Sequence, residues 1–279
     1  MESGLYIVST PIGNLGDVSR RSLRVLGLVD LIVAEDTRIT RSLLAKLDIK
    51  IPKLISYTDH SSRNVVDQVL SGLSNGHSIA LVSDAGTPVI SDPGYRLVLA
   101  VHLAKHKVIP VPGPCAAITA LSISGLPTDR FLFEGFLPER RSARLKRLNA
   151  LSTERATLVI YEAPHRLQAT VADCIEIFGG NRKSFLGREL TKLHETAFLS
   201  NLFQLQSLID EDSNQTRGES VLLVAGFRGR NSNLSPELSR LAEKLCADIS
   251  KKRVATLLAE YSGLPSREIY DHLINTPFK

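Results

Sequence analysis

The chain has 279 residues, 43% hydrophobic and 23% charged, with a formal net charge of +5, a balance ordinary for a soluble globular protein and long enough for two domains. No apolar run approaches the roughly 20 residues of a membrane span, and a strand-like run, Leu5 to Val8, follows the N-terminus directly, so no signal peptide is expected. Cys115, Cys174 and Cys246 are widely spaced and the seven histidines scattered; with no disulfide framework and no metal-ligand spacing, the expectation is a cytoplasmic protein without a structural metal.

In chain order, Leu5 to Val8 reads as a strand and Pro11-Ile12-Gly13-Asn14 as a turn. Helix is expected over Ser19–Leu26, strand over Leu31–Ala34, and helix over Arg41–Leu47 and Asn64–Leu73. Strand Ile79–Val82, helix Tyr95–Lys105 and strand Val108–Val111 complete an alternation that predicts a parallel α/β sheet. Between Val82 and Tyr95 the apolar run stops at a small, acidic loop, Ser83 to Gly94, with two Gly, two Pro and two Asp. A buried parallel strand that opens into such a loop marks the edge of a ligand crevice. Gly86 and Gly94 permit close backbone approach, and Pro88 and Pro93 hold one loop shape.

Pro112-Gly113-Pro114 ends this unit. A second strand-and-helix series follows: strand Phe131–Phe136, helix Ala143–Leu151, strand Thr157–Tyr161, helix Leu167–Phe178, strand Ser184–Arg188, helix Leu202–Ile209 and strand Ser220–Ala225. Gly226 to Ser235 reads as a linker. Pro236 to Lys279 reads as short helices broken at Gly263-Leu264-Pro265, with Ser266 as N-cap, which resembles a helix-turn-helix unit. Seven cations and six acids in that segment leave a packing module and a nucleic-acid reader both open. The boundaries expected are 1–113, 114–230 and 231–279.

Charge is concentrated between Pro138 and Arg147, where Arg140, Arg141, Arg144, Lys146 and Arg147 face the single Glu139. Such a run is either a solvated face or an arm for a phosphate backbone. On the second reading Arg140, Arg141, Arg144 and Arg147 contact RNA.

There is no GxGxxG after the first strand and no P-loop, which argues against dinucleotide and nucleoside triphosphate binding. Loops at strand ends carry the signal instead: Thr10–Asn14 (TPIGN), Glu35–Arg38 (EDTR), Ser83–Gly94 (SDAGTPVISDPG), Pro112–Pro114 (PGP), Glu162–Arg166 (EAPHR) and Arg188–Lys192 (RELTK). In this order the set resembles the tetrapyrrole-methylase-type (class III) methyltransferases, and within them the ribosomal RNA small subunit methyltransferase I family, over roughly residues 4 to 230 with a matching C-terminal extension. The resemblance implies two α/β domains with S-adenosylmethionine in the cleft between them, a homodimer, and methylation of the ribose 2′-oxygen of a decoding-centre cytidine in 16S rRNA on the small ribosomal subunit. It implies cofactor contacts from Pro11, Asp84, Ala85, Gly86, Thr87, Ile90, Cys115, Ala116, Glu162 and Leu190.

Methyl transfer from a sulfonium is an in-line displacement that mainly needs alignment and exclusion of water. A ribose hydroxyl is a poor nucleophile, so a base or a cation near the developing alkoxide helps. Candidates are Glu35, Asp36, Asp84, His165, Arg166, Glu189, Lys192 and Glu195. The preferred roles are Lys192 as orienting or alkoxide-stabilising cation and Glu35 or Glu189 as base. Glu35 and Asp36 could equally cap a helix, and Glu189 with Lys192 could be a surface pair. Methylation of a small tetrapyrrole, or ribosome binding without catalysis, are the alternatives. The basic segment and the appended helices are unnecessary to the first, and the intact cofactor loops speak against the second.

Overall fold

A computed structural model describes residues 1–58, 63–228, 236–262 and 264–275. The chain packs as two units, residues 1–226 and 227–279. The first holds two five-stranded sheets. Among the described residues no helix is long and apolar enough to cross a membrane.

The first sheet comprises β1 (Gly4–Val8), β2 (Leu31–Ala34), β3 (Lys53–Ser56), β4 (Ser78–Val82) and β5 (Val108–Val111) in the order β3-β2-β4-β1-β5. Every pair is parallel, as the strand–helix alternation predicts. All residues of β2 and β4 are buried, because helices cover both faces and leave no polar side to the strand. On one face lie α1 (Arg20–Leu28) and α2 (Thr37–Lys46), whose Val25, Leu26 and Leu44 pack with Tyr6, Val8, Ile32 and Val82. On the other lie α3 (Arg63–Ser74) and α4 (Tyr95–Leu103), with Val69, Leu97 and Val101 against Leu5, Val33 and Leu81. Ser19 Oγ caps α1 by accepting Ser22 N–H at 2.9 Å, and Asp36 Oδ1 caps α2 by accepting Arg38 N–H at 2.7 Å. From β2 the chain leaves through α2 to one side; from its neighbour β4 it leaves through α4 to the other. That divergence is a topological switch point, and it opens a crevice beyond the C-terminal ends of the two strands.

Pro112–Cys115 carries the chain across to α5 (Ala116–Ile123) and the second sheet. The latter comprises β6 (Phe131–Phe136), β7 (Thr157–Glu162), β8 (Lys183–Arg188), β9 (Thr196–Asn201) and β10 (Ser220–Val224), ordered β6-β7-β10-β8-β9. Only β6 and β7 pair parallel; the other three pairs are antiparallel. Helices α6 (Arg141–Ala150), α7 (Leu167–Phe178) and α8 (Leu202–Glu211) cover one face through Leu148, Leu167, Val171 and Leu205. α5 covers the other through Ala117, Ala120 and Leu121. The expected elements are present with ends shifted by up to four residues; β3, α5 and β9 are additions.

The second unit contains α9 (Pro236–Asp248), α10 (Lys251–Ser262) and α11 (Ser266–Asn275) around Ala242, Val254, Leu258, Ile269 and Leu273. Ile269 N–H bonds the Pro265 carbonyl at 3.3 Å, so Pro265 rather than Ser266 takes the cap position. The expected linker falls mostly on residues 229–235, outside the described residues.

Candidate active site

The loops after β1, β4 and β5 are bonded into one floor. Thr10 N–H donates to Gly86 O at 2.8 Å and Gly86 N–H returns to Thr10 O at 3.1 Å. Thr87 Oγ1 donates to Pro114 O at 2.9 Å and so accepts from Ser9 Oγ, also at 2.9 Å. The loops after β2 and β4 are joined through carboxylates: Asp84 Oδ1 accepts Asp36 N–H at 3.1 Å, and Glu35 Oε2 accepts Asp84 N–H at 3.3 Å. Val89 and Ser91 sit at φ +77° and +62°, a region costly for side chains and most of all for a β-branched one.

The opposite wall comes from the second sheet. Tyr161, at the end of β7, accepts Ala117 N–H on its hydroxyl at 3.1 Å and meets Phe133 and Phe136 edge-on at 5.0 and 5.8 Å. Glu162 is buried and fully committed: Thr170 Oγ1, Ala163 N–H and Arg166 Nε reach its carboxylate at 2.5, 2.9 and 3.2 Å.

Between the walls is a cleft of about 390 Å³. Its lining is apolar at Ile12, Ile90, Leu190 and Val221, and its ionisable side chains other than Cys115 and Tyr161 are all acids: Glu35, Asp84, Asp92, Glu162 and Glu219. Among the described residues no lysine, arginine or histidine lines it. Burial raises the Glu35 pKa, against the Asp84 N–H bond, and the Asp84 and Asp36 charges add to the rise. Burial raises Asp84 as well. Asp92 is pushed up to about 6 by burial, with Glu35 and Asp84 adding against a Ser83 hydrogen bond.

Of the residues singled out in the sequence, Glu35, Asp84, Ala85, Gly86, Thr87, Ile90, Cys115, Ala116, Glu162 and Leu190 line this cleft. Pro11 does not; it faces a groove on the far side of Asp84, and its neighbour Ile12 takes the cleft position. Glu189 lines a separate depression with Arg188, His194 and Arg217. Its Oε1 accepts Lys192 Nζ and Glu219 N–H, both at 2.8 Å. Burial opposes its ionisation, but the bonds from Lys192 and Glu219 outweigh that and its pKa falls. Lys192 stands behind the rim, its Nζ also bonded to Glu219 Oε2 at 3.0 Å.

The basic segment is corrected by the structure. Arg144 is only 4% exposed, with Nε on Asp173 Oδ2 at 2.7 Å and Nη1 on Glu139 O at 3.0 Å. Arg141 bonds Asp173 and Glu176, and Arg147 forks onto Glu134 at 2.8 Å. The partner acids lie on β6 and α7, outside the window that made the run look unopposed. Arg144 is therefore part of the core, and Arg141 and Arg147 are tied to its edge. Arg140 is exposed, with no ion pair among the described residues.

Sequence reasoning assigned no site role to Ile12, Asp92, Phe136, Tyr161, Glu219 or Val221, all of which line the cleft. Ile12 and Asp92 lay inside quoted motifs, and Tyr161 immediately before one. Phe136 and Val221 carry no local signal, since their sheet alone brings them there.

The family model for tetrapyrrole (corrin/porphyrin) methylases matches residues 4–206. A Vibrio cholerae protein named ribosomal RNA small subunit methyltransferase I is 47% identical over 271 residues, covering 95% of this chain and 92% of that one. The Pseudomonas aeruginosa protein of the same name is 44% identical over 272 residues, covering 97% and 96%. Among solved structures, a cobalt precorrin-4 methyltransferase of cobalamin biosynthesis superposes with TM-score 0.59 at 15% identity, covering 79% of this chain and 94% of that chain. A uroporphyrin-III-C-methyltransferase from Thermus thermophilus gives 0.56 at 21% identity, covering 80% and 94%; at such identities the likeness concerns the fold alone. From the span of the family model and the near-full-length identity, the chain belongs to the tetrapyrrole methylases and, within them, to the ribosomal RNA small subunit methyltransferase I family.

Proposed function

We propose that this chain transfers the methyl group of S-adenosylmethionine to small-subunit ribosomal RNA, at the ribose 2′-oxygen of a decoding-centre cytidine in 16S rRNA. The observation that carries the reading is the cleft: apolar walls and, among the described residues, five acids and no cation. That lining suits a ligand with sulfonium and ammonium charges beside a flat base, and it repels the phosphates of a dinucleotide. S-adenosylmethionine, when bound, supplies an electrophilic methyl group. The backbone of Ala85–Thr87 and the carboxylates of Asp84 and Asp92 would hold its charged groups, and Ile12, Ile90 and Leu190 would keep water away. Cys115, Ala116 and Glu162 complete the enclosure.

Glu35 takes the proton of the attacking hydroxyl. It lines the cleft, the Asp84 N–H fixes one of its oxygens, and burial brings its pKa closer to what a carboxylate base requires. Lys192 orients the RNA from behind the rim, and Glu189 holds Lys192 in place instead of serving as base. The same reading makes the protein a cytoplasmic homodimer.

The test is transfer of labelled methyl to small ribosomal subunits that lack the modification, mapped by nucleotide. Label on one cytidine ribose is expected. Glu35→Gln should lower kcat about a hundredfold, and wild-type kcat/KM should fall as pH drops through a value above the ordinary glutamate range. Cofactor binding with no label on any subunit would sink the RNA reading and favour a small tetrapyrrole acceptor.

A further inference from the structure

A polyanionic strand cannot be gripped by a cleft lined with acids, and the α6 arginines are largely spent on Asp173, Glu176 and Glu134. The cations for it stand elsewhere. A second depression of about 540 Å³ adjoins the cleft and shares Asp84 with it. It runs between the Pro11–Leu15 turn and α2, and Leu15, Arg38, Ile39, Ser42 and Lys46 line it. Leu15 and Ile39 are 41% and 46% exposed, an aliphatic shelf on an otherwise charged surface. Arg38 forks onto Asp36 and cancels its charge.

Helix α2 (TRITRSLLAK), which lines this groove, and α1 (RRSLRVLGL), which follows the Pro11–Leu15 turn in the chain, contain six cations and no acid. They pack on the same face of the first sheet, so their charges share one side of the molecule. Arg20, Arg21, Arg24, Arg41 and Lys46 are exposed, and among the described residues none is in an ion pair. A strip of unopposed arginine and lysine around an apolar shelf, continuous with a reaction cleft, has the two parts single-stranded RNA requires: charge for the backbone and an apolar face for a base.

We propose that the groove and the α1–α2 face hold the RNA strand flanking the methylated nucleotide, with a neighbouring base on Leu15 and Ile39 and phosphates on Arg41, Lys46 and the α1 arginines. This rests on the RNA reading above and gives it a binding surface. The target nucleotide then leaves the basic strip and enters the acidic cleft past Asp84.

The test uses the full chain and unmodified small ribosomal subunits. KM for the subunits is measured against salt for wild type, Arg41→Gln/Lys46→Gln, Arg20→Gln/Arg24→Gln, Ile39→Ala and Arg140→Gln, with cofactor affinity by calorimetry as the control for an intact cleft. Each double variant should raise KM at least tenfold near physiological salt and flatten the log–log salt slope by roughly 0.7–0.9 per lost phosphate contact. Ile39→Ala should raise KM about fivefold without changing the slope. Cofactor affinity and kcat should stay at wild type. The inference is overturned if both double variants keep the wild-type KM and slope, or if Arg140→Gln alone reproduces their effect. If wild type binds subunits but transfers no methyl, the enzyme reading fails separately, and the same variants scored by subunit binding still decide the groove.

Discussion

Asp173 holds two guanidinium groups at once, Arg144 Nε on Oδ2 at 2.7 Å and Arg141 Nε on Oδ1 at 2.9 Å. The Arg144 and Asp173 side chains are 5% and 3% exposed. Removing the carboxylate leaves a buried cation without its counter-charge, which costs about 3–5 kcal/mol. Asp173→Ala should therefore lower the denaturant midpoint sharply, and Asp173→Asn, which keeps an acceptor, should lower it less. Unfolding curves check this; an unchanged midpoint would show that Arg144 finds another partner. Arg141, Arg144 and Arg147 were legible in the sequence as a basic run, but their acidic partners were not. Glu134 and Asp173 approach through packing, which leaves no period or spacing to read. Asp92 and Ile12 were quoted within motifs but given no role, because a motif marks a loop and not which of its side chains turns inward.

At the scale of elements, the loop from Ser83 to Gly94 shows what local chemistry does specify. Its glycines occupy φ +82° at Gly86 and +135° at Gly94, and a Cβ at Gly94 would lie 2.9 Å from Leu81 Cδ2 and 3.0 Å from Val89 Cγ2. Gly94→Ala should lower stability by about 1–3 kcal/mol and weaken cofactor binding, measurable by thermal unfolding and calorimetry on one preparation. The loop and the strands beside it were readable because a buried strand ends where apolar residues give way to Gly and Pro. Three elements were not. β3 is a four-residue edge strand, β9 is an edge strand after the loop 189–195, and α5 (AAITALSI) is apolar on nearly every side and shows little helical period. The antiparallel pairing of β8, β9 and β10 was equally hidden, since strand direction depends on where the chain returns and not on what the strand contains.

For the whole molecule, a chain of net charge +5 encloses an acidic cleft. The Asp92 pKa is about 6 in the fold against 3.8 for the free side chain, burial being the main cause. The folded state therefore binds this proton more tightly than the unfolded state. The stabilisation is complete below about pH 4 and is lost as pH rises through about 6. Asp92→Asn, which cannot ionise, should unfold at a higher temperature than wild type above pH 6 and show little advantage at pH 4, in thermal scans without cofactor. Equal melting temperatures across that window would mean that solvent already pays for the charge. The sequence-level resemblance implied a cleft between two domains, and the structure forms one between its two sheets. Its acidity was hidden by the overall basic balance, because Glu35, the Asp84–Asp92 loop, Glu162 and Glu219 come from four separate stretches of chain.

The paired bonds between Thr10 and Gly86 have a kinetic side. They form a miniature ladder beyond the sheet, so the two loops at the bottom of the cleft are already locked in register. Little ordering entropy remains to be lost there when a ligand arrives. The ligand's affinity at this end then comes from its contacts with a floor that is already set.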